Sequence, residues 1–189
     1  MGKHAIPEKH AAQPQGGDRG DRAALRPGFR SALMDLWLVR HGEAMSAQEN
    51  PARPLTPEGA RALSAIAETL AGRMGSFDLV AASGKKRALE TAAILAEATG
   101  YPAGKIVETG ALSPNATPEA FLAFLEENDE AKRLLCVGHL PSIASIAACI
   151  LSPGDPVHLA FGPGTVCRIR VGALRRGGGE LLLFFNGPG

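Results

Sequence analysis

Leu36-Trp37-Leu38-Val39-Arg40-His41-Gly42-Glu43 is the stretch on which the reading of the fold turns. Leu36 to Val39 is a short, unbroken apolar run, the pattern of a buried strand, and it ends at the Arg40-His41-Gly42 turn. Working outward, Thr56-Pro57-Glu58 starts a helix, with Thr as N-cap, Pro at the first helical position and an acid near the positive end of the dipole. Leu63, Ile66, Ala67 and Leu70 form its inner face. Asp78 to Ala82 reads as a second strand, followed by a helix marked by Leu89, Ala92, Ala93 and Ala96. A third helix is predicted from Pro118 to Asn128, carrying Phe121, Leu122, Phe124 and Leu125. Leu134 to Val137 is a third core strand that ends at Gly138-His139, and beyond Pro141 a helix presents Ile143, Ile146, Ala147 and Ile150. Two further strands, Val166 to Val171 and Glu180 to Phe185, flank the Gly177-Gly178-Gly179 turn and suit an antiparallel closing pair. Alternation of strands with helices predicts an α/β fold, a three-layer α/β/α sandwich around a mostly parallel central sheet. The chain has no internal repeat.

The composition agrees. With 189 residues, 45% hydrophobic and 21% charged, the chain has enough apolar material for one globular domain with a real core. The formal net charge of +1 provides no broad positive field for nucleic acid, so anion recognition has to be local. No apolar run reaches the length of a transmembrane helix, and no membrane association is expected. Cys136, Cys149 and Cys167 have neither CxxC nor metal-ligand spacing, which predicts buried, reduced thiols and a cytoplasmic setting. Residues 1–33, rich in Gly, Pro, Gln, Arg and Asp and without hydrophobic periodicity or a signal-type apolar core, read as a disordered or loosely attached extension preceding a single domain over 34–189. Met34, directly before the first strand, stands where an alternative start would fall.

In open α/β sheets ligands bind beyond the carboxyl ends of the strands. Arg40 and His41 follow the first strand, Arg87 sits in the opening turn of the helix after the second, and His139 follows the third. Taken singly, an Arg-His pair is an ordinary surface feature and a His after a strand is ordinarily structural. The cation at a helix N-terminus is locally unfavourable, and an anion held between the helix end and the guanidinium would account for it. All three features fall at one edge of the sheet.

Leu38-Val39-Arg40-His41-Gly42-Glu43-Ala44, Arg53-Pro54-Leu55-Thr56-Pro57-Glu58-Gly59, Ser83-Gly84-Lys85-Lys86-Arg87-Ala88-Leu89-Glu90-Thr91-Ala92 and Val137-Gly138-His139 together resemble, in order, the histidine phosphatase superfamily. Within it the chain is similar to the short branch of SixA-type phosphohistidine phosphatases, by its compact length, its early Arg-Pro-Leu-Thr segment and its lack of long insertions. The resemblance implies a phosphoglycerate mutase-like fold and a hydrolase that uses no metal or other cofactor. His41 would be the nucleophile, and Arg40 and Arg87 would hold the phosphate. His139 would donate a hydrogen bond to the transferring group. The chemistry asks for the same parts: neutral imidazole attacks phosphorus, and fixed positive charge stabilises the equatorial oxygens.

Two departures bear on the substrate. Larger members similar to phosphoglycerate mutases carry an acid after a Leu beyond the second helix, where Ala111-Leu112-Ser113-Pro114 has none. Ala47 occupies the place of a phosphate-holding Asn. Glu43 and Glu119 are the remaining candidates for a general acid. An imidazole leaving group asks less of a strong acid than an alkoxide, so the expected substrate is phosphohistidine in a protein partner such as a histidine phosphotransfer domain, met across a rim of Arg53, Lys85 and Lys86. The alternatives are a small phosphorylated metabolite as substrate, or a phosphate-binding module without turnover.

Overall fold

The computed structural model describes residues 1–2, 33–155 and 157–187. The expectation of a loosely attached extension over 1–33 therefore lies almost wholly outside the described residues. Over the rest the chain forms strands β1 (Met34–Arg40), β2 (Leu79–Ala82), β3 (Val107–Glu108), β4 (Arg133–Gly138), β5 (Val166–Val171) and β6 (Gly179–Phe185). Helices α1 (Pro57–Met74), α2 (Lys86–Ala98), α3 (Pro118–Glu127) and α4 (Ser142–Leu151) connect them. The strands make one six-stranded sheet in the order β3-β2-β4-β1-β5-β6. Five strands run one way and β5 runs against them. The α/β fold with a mostly parallel sheet is the one the sequence predicts, and the closing hairpin is antiparallel.

Alternate residues of β1 enter opposite cores. Leu36 and Leu38 pack with Phe121, Leu125, Ile143 and Ile146 of α3 and α4. Trp37 and Val39 pack with Ile66, Leu70, Ala92 and Leu95 of α1 and α2. All four β1 side chains are fully buried, which explains an unbroken apolar run where a one-faced strand would alternate. Right-handed crossovers decide which helix covers which face. The path β1-α1-β2-α2-β3 runs toward one edge, placing α1 and α2 together; β3-α3-β4-α4-β5 runs back, placing α3 and α4 on the other face.

The differences from the predicted bounds have local causes. Asp78 stands before β2, where its carboxylate accepts from the backbone N–H of Lys132 and Arg133 at 2.8 Å each. Asn128 caps α3, its amide donating to Phe124 O at 2.7 Å. Strand β3 was not predicted: both of its residues are exposed, so it has no hydrophobic pattern to read. The cap at Thr56 is as expected, its hydroxyl accepting from Gly59 N–H, and Thr117 caps α3 in the same way, accepting from Ala120 N–H. Cys136, Cys149 and Cys167 are free and buried; burial raises the Cys167 thiol to about 12, so it stays protonated and unreactive. Among the described residues no helix is long and apolar enough to cross a membrane.

Candidate active site

Register assembles the site. Strands β2, β4 and β1 are neighbours, with Ala82 opposite Val137 and Gly138 opposite Arg40. The residues that follow these strands therefore emerge side by side: Ser83 N–H donates to Val137 O at 3.2 Å, and His41 N–H donates to Gly138 O at 3.0 Å. The rings of His41 and His139 lie 4.8 Å apart, centre to centre, tilted by 56°. Arg87, the second residue of α2, reaches over them, its Nε donating to His41 Nε2 at 3.1 Å. Arg40, His41, Arg87 and His139, the four residues singled out in the sequence, thus converge at one edge of the sheet.

The hydrogen bonds of His41 define its tautomer. Nδ1 lies 2.7 Å from Gly42 O, a pure acceptor, so Nδ1 carries the proton. Nε2 receives a hydrogen from Arg87 and so presents its lone pair. Burial lowers the His41 pKa to about 4, and the guanidiniums of Arg87, Arg40 and Arg53 add to the effect, against an opposing pull from Gly42 O. His139, 2% exposed, is lowered to about 3 by burial and then by His41, Arg87, Lys85 and Arg53. Both rings are neutral at pH 7. Among the described residues, none of the charges that bear on either ring is a carboxylate, and Glu43 and Glu119 are both exposed.

Several supporting groups had no such role assigned from the sequence, although Arg53, Gly59, Glu90 and Thr91 lie within the stretches that carry the resemblance. Arg40 is anchored by Nη1, which donates to Phe161 O at 2.7 Å; a backbone carbonyl looks the same in every sequence. Thr91, fully buried, accepts from Gly42 N–H at 3.1 Å while its hydroxyl donates to Arg87 O at 2.7 Å. It thereby ties the loop after β1 to α2, yet in the sequence it reads as one more small residue on an alanine-rich face. Glu90 accepts from Leu55 N–H at 2.7 Å and holds the Arg-Pro-Leu segment. That segment places Arg53, in a left-handed conformation with φ 49°, close enough for its charge to act on both histidines. Gly59 lets α1 approach this loop closely: a Cβ there would overlap the backbone of Glu43.

Two buried side-chain nitrogens of the site, Arg40 Nε and His139 Nδ1, have no partner among the described residues. Buried polar nitrogens are costly to leave unpaired. Two of them beside three guanidiniums and a neutral imidazole suit a compact, multiply charged oxyanion. Among the described residues no three His, Cys, Asp or Glu side chains converge as a metal-ligand set.

A fold of this topology with that constellation defines a class. Residues 36–109 match the model of the histidine phosphatase superfamily, branch 1. An uncharacterized protein of Picosynechococcus sp. is 32% identical over 147 residues, which cover 75% of this chain and 88% of that one. The chain belongs to the histidine phosphatase superfamily. Among solved structures it is similar to the putative phosphohistidine phosphatase SixA from Nakamurella multipartitia, at 27% identity and a TM-score of 0.68 over 82% of this chain and 97% of the other. The protein histidine phosphatase SixA complexed with tungstate superposes with a TM-score of 0.70 at 23% identity, covering 80% of this chain and 96% of that one. A putative alpha-ribazole-5'-P phosphatase from Escherichia coli reaches 0.65 at 20% identity, covering 81% and 96%. Family and neighbours together support phosphatase activity.

Proposed function

We propose that this chain is a metal-independent phosphatase that carries the phosphoryl group on His41 Nε2 and takes it from a phosphorylated histidine in a protein partner. The observation that carries the reading is the state of His41: Nδ1–H is held by Gly42 O and Nε2 is unprotonated against Arg87 Nε at 3.1 Å. The nucleophilic lone pair is therefore aimed at the same group that binds the phosphate. When phosphate enters, Arg87 exchanges the imidazole for phosphoryl oxygens, which frees Nε2 for in-line attack. The P–Nε2 bond forms as the bond to the leaving imidazole breaks, and that imidazole departs with a proton from solvent. Water then attacks phosphorus, the P–Nε2 bond breaks, and inorganic phosphate leaves with His41 again neutral. Arg40, Arg87 and His139 stabilise charge on the transferring group throughout.

Two features favour phosphohistidine as the substrate. Glu43 and Glu119 are exposed, Ser113 occupies the position after Leu112, and among the described residues no carboxylate charge bears on either histidine; such a site suits a leaving group that needs little acid assistance. The connections at this edge, residues 41–56, 83–85, 139–141, 152–155 and 157–165, are loops, and an open rim bearing Arg53 and Lys85 admits a side chain on an acidic protein surface. The second reading, a small phosphomonoester as substrate, is favoured by the likeness to the alpha-ribazole-5'-P phosphatase. Incubation with a labelled, phosphorylated histidine phosphotransfer domain separates the two. Label is expected to leave the wild type much faster than a His41→Ala variant. Equal rates, together with rapid hydrolysis of one metabolite from a phosphomonoester panel, would establish the second reading instead.

A further inference from the structure

Ser83 has no role in the scheme above, and yet it makes the shortest contact that His139 has. Ser83 is 1% exposed and His139 2%, and Ser83 Oγ lies 2.5 Å from His139 Nε2. Two proton arrangements are compatible with that distance. In one, Nε2–H donates to the hydroxyl; in the other, the hydroxyl donates to an unprotonated Nε2.

Hydrogen-bond accounting separates them. Among the described residues Ser83 Oγ has one other partner, the backbone N–H of Lys85 at 3.5 Å, and that group is a donor. If Nε2–H also donated, Oγ would accept twice and its own hydrogen would be buried without an acceptor, at a cost of about 1–3 kcal/mol. His139 Nδ1, which is buried and has no partner among the described residues, would then be a lone pair with no donor to satisfy it. If the hydroxyl donates instead, its hydrogen is satisfied and the imidazole proton resides on Nδ1. That nitrogen is then a donor on a ring whose centre lies 4.8 Å from that of His41.

We infer that Ser83 is a positioning residue that fixes His139 as the Nδ1–H tautomer, so that His139 gives the transferring phosphoryl group a hydrogen bond and not a lone pair. This rests on the phosphoryl-transfer reading of the site. It extends that reading by assigning the proton to one atom and the cause to one residue. The lowered pKa of His139 is consistent with it, since a doubly protonated ring would need no tautomer to be chosen.

The test uses the whole chain with 15N-labelled histidine. Long-range 15N–1H spectra are expected to give His139 a pyrrole-type Nδ1 and a pyridine-type Nε2 at pH 7. In Ser83→Ala the two nitrogen shifts should move toward each other, reporting mixed tautomers, with the thermal midpoint as a control for folding. Single-turnover formation of phospho-His41, trapped by alkaline quench, should slow by about 10- to 100-fold, by analogy with the loss of a partner that orients a metal-bound imidazole. Substrate KM should change little. A pyrrole-type Nε2 in the wild type would overturn the inference. So would a Ser83→Ala variant with wild-type tautomer and wild-type phosphorylation rate; in that case phosphoryl transfer on His41 would still stand. Failure of the wild type to form phospho-His41 would count against the reading of the site, while the nitrogen shifts would still decide the tautomer.

Discussion

At the scale of single residues, the site separates charge from geometry. Arg87 is almost fully buried and donates to His41 through Nε, so its value lies in a planar fork that a lysine lacks. Arg87→Lys keeps the charge and is expected to lower kcat/KM by about 100-fold, the scale of losing one preorganised donor. A decrease smaller than about twofold would remove Arg87 from the phosphate grip. His41 provides the second prediction. Burial and three guanidiniums disfavour its protonated form, so an NMR titration should find the Nδ1–H tautomer persisting well below pH 6.5, with its midpoint near 4. A midpoint close to the usual 6.5 or so would contradict the environment described. Arg40, His41, Arg87 and His139 were legible because strand ends and a helix start can be read from apolar runs and turn signals. Thr91 and Phe161 were not. One acts through a hydroxyl that looks like helix filler, and the other acts through its carbonyl, which no side-chain pattern reports.

Elements add constraints that single residues do not carry. Helix α1 begins beside the loop after β1, and Thr56 links the two, since its N–H donates to Glu43 O at 3.0 Å while its hydroxyl caps Gly59 N–H at 2.9 Å. In an isolated helix Gly59→Ala would stabilise by about 1 kcal/mol. Here the added methyl meets the backbone of Glu43, and overpacking of this kind costs about 1–3 kcal/mol. The variant is therefore expected to unfold at lower denaturant and to lose activity as the loop bearing His41 shifts. A gain in stability would mean that the helix start can move away without cost. The start of α1 was legible from Thr56-Pro57-Glu58 because capping chemistry is local. The reason for Gly59 was not, because close approach between two elements is a tertiary fact. Strand β3 escaped notice for a related reason: its two exposed residues pair with β2 through backbone groups alone.

Over the whole molecule the two histidines link function to acid stability. Their folded pKa values, about 4 and about 3, lie below the unfolded value of about 6.5. Above pH 6.5 neither state is protonated and they contribute nothing; as the pH falls from there toward 4 the unfolded chain takes up protons that the folded chain refuses, and stability drops. Denaturant unfolding at pH 7 and at pH 5 should give a smaller loss for a His41→Gln, His139→Gln double variant than for the wild type. Equal losses would show that the rings titrate normally in the fold. The α/β alternation and the antiparallel closing pair could be read from the sequence, because buried strands and amphipathic helices have different periods. The strand order could not, since β4 lies between β1 and β2 through pairings of residues far apart in the chain, which no local pattern reports. It is this insertion that sets Ser83, His139 and His41 side by side. Helix α2 carries both Arg87 and Thr91, one turn apart, and Thr91 reaches Gly42, whose carbonyl holds the His41 proton. On the proposed mechanism, one helix thus touches both the anion grip and the loop that holds the nucleophile, so a displacement of α2 is expected to disturb binding and reaction together.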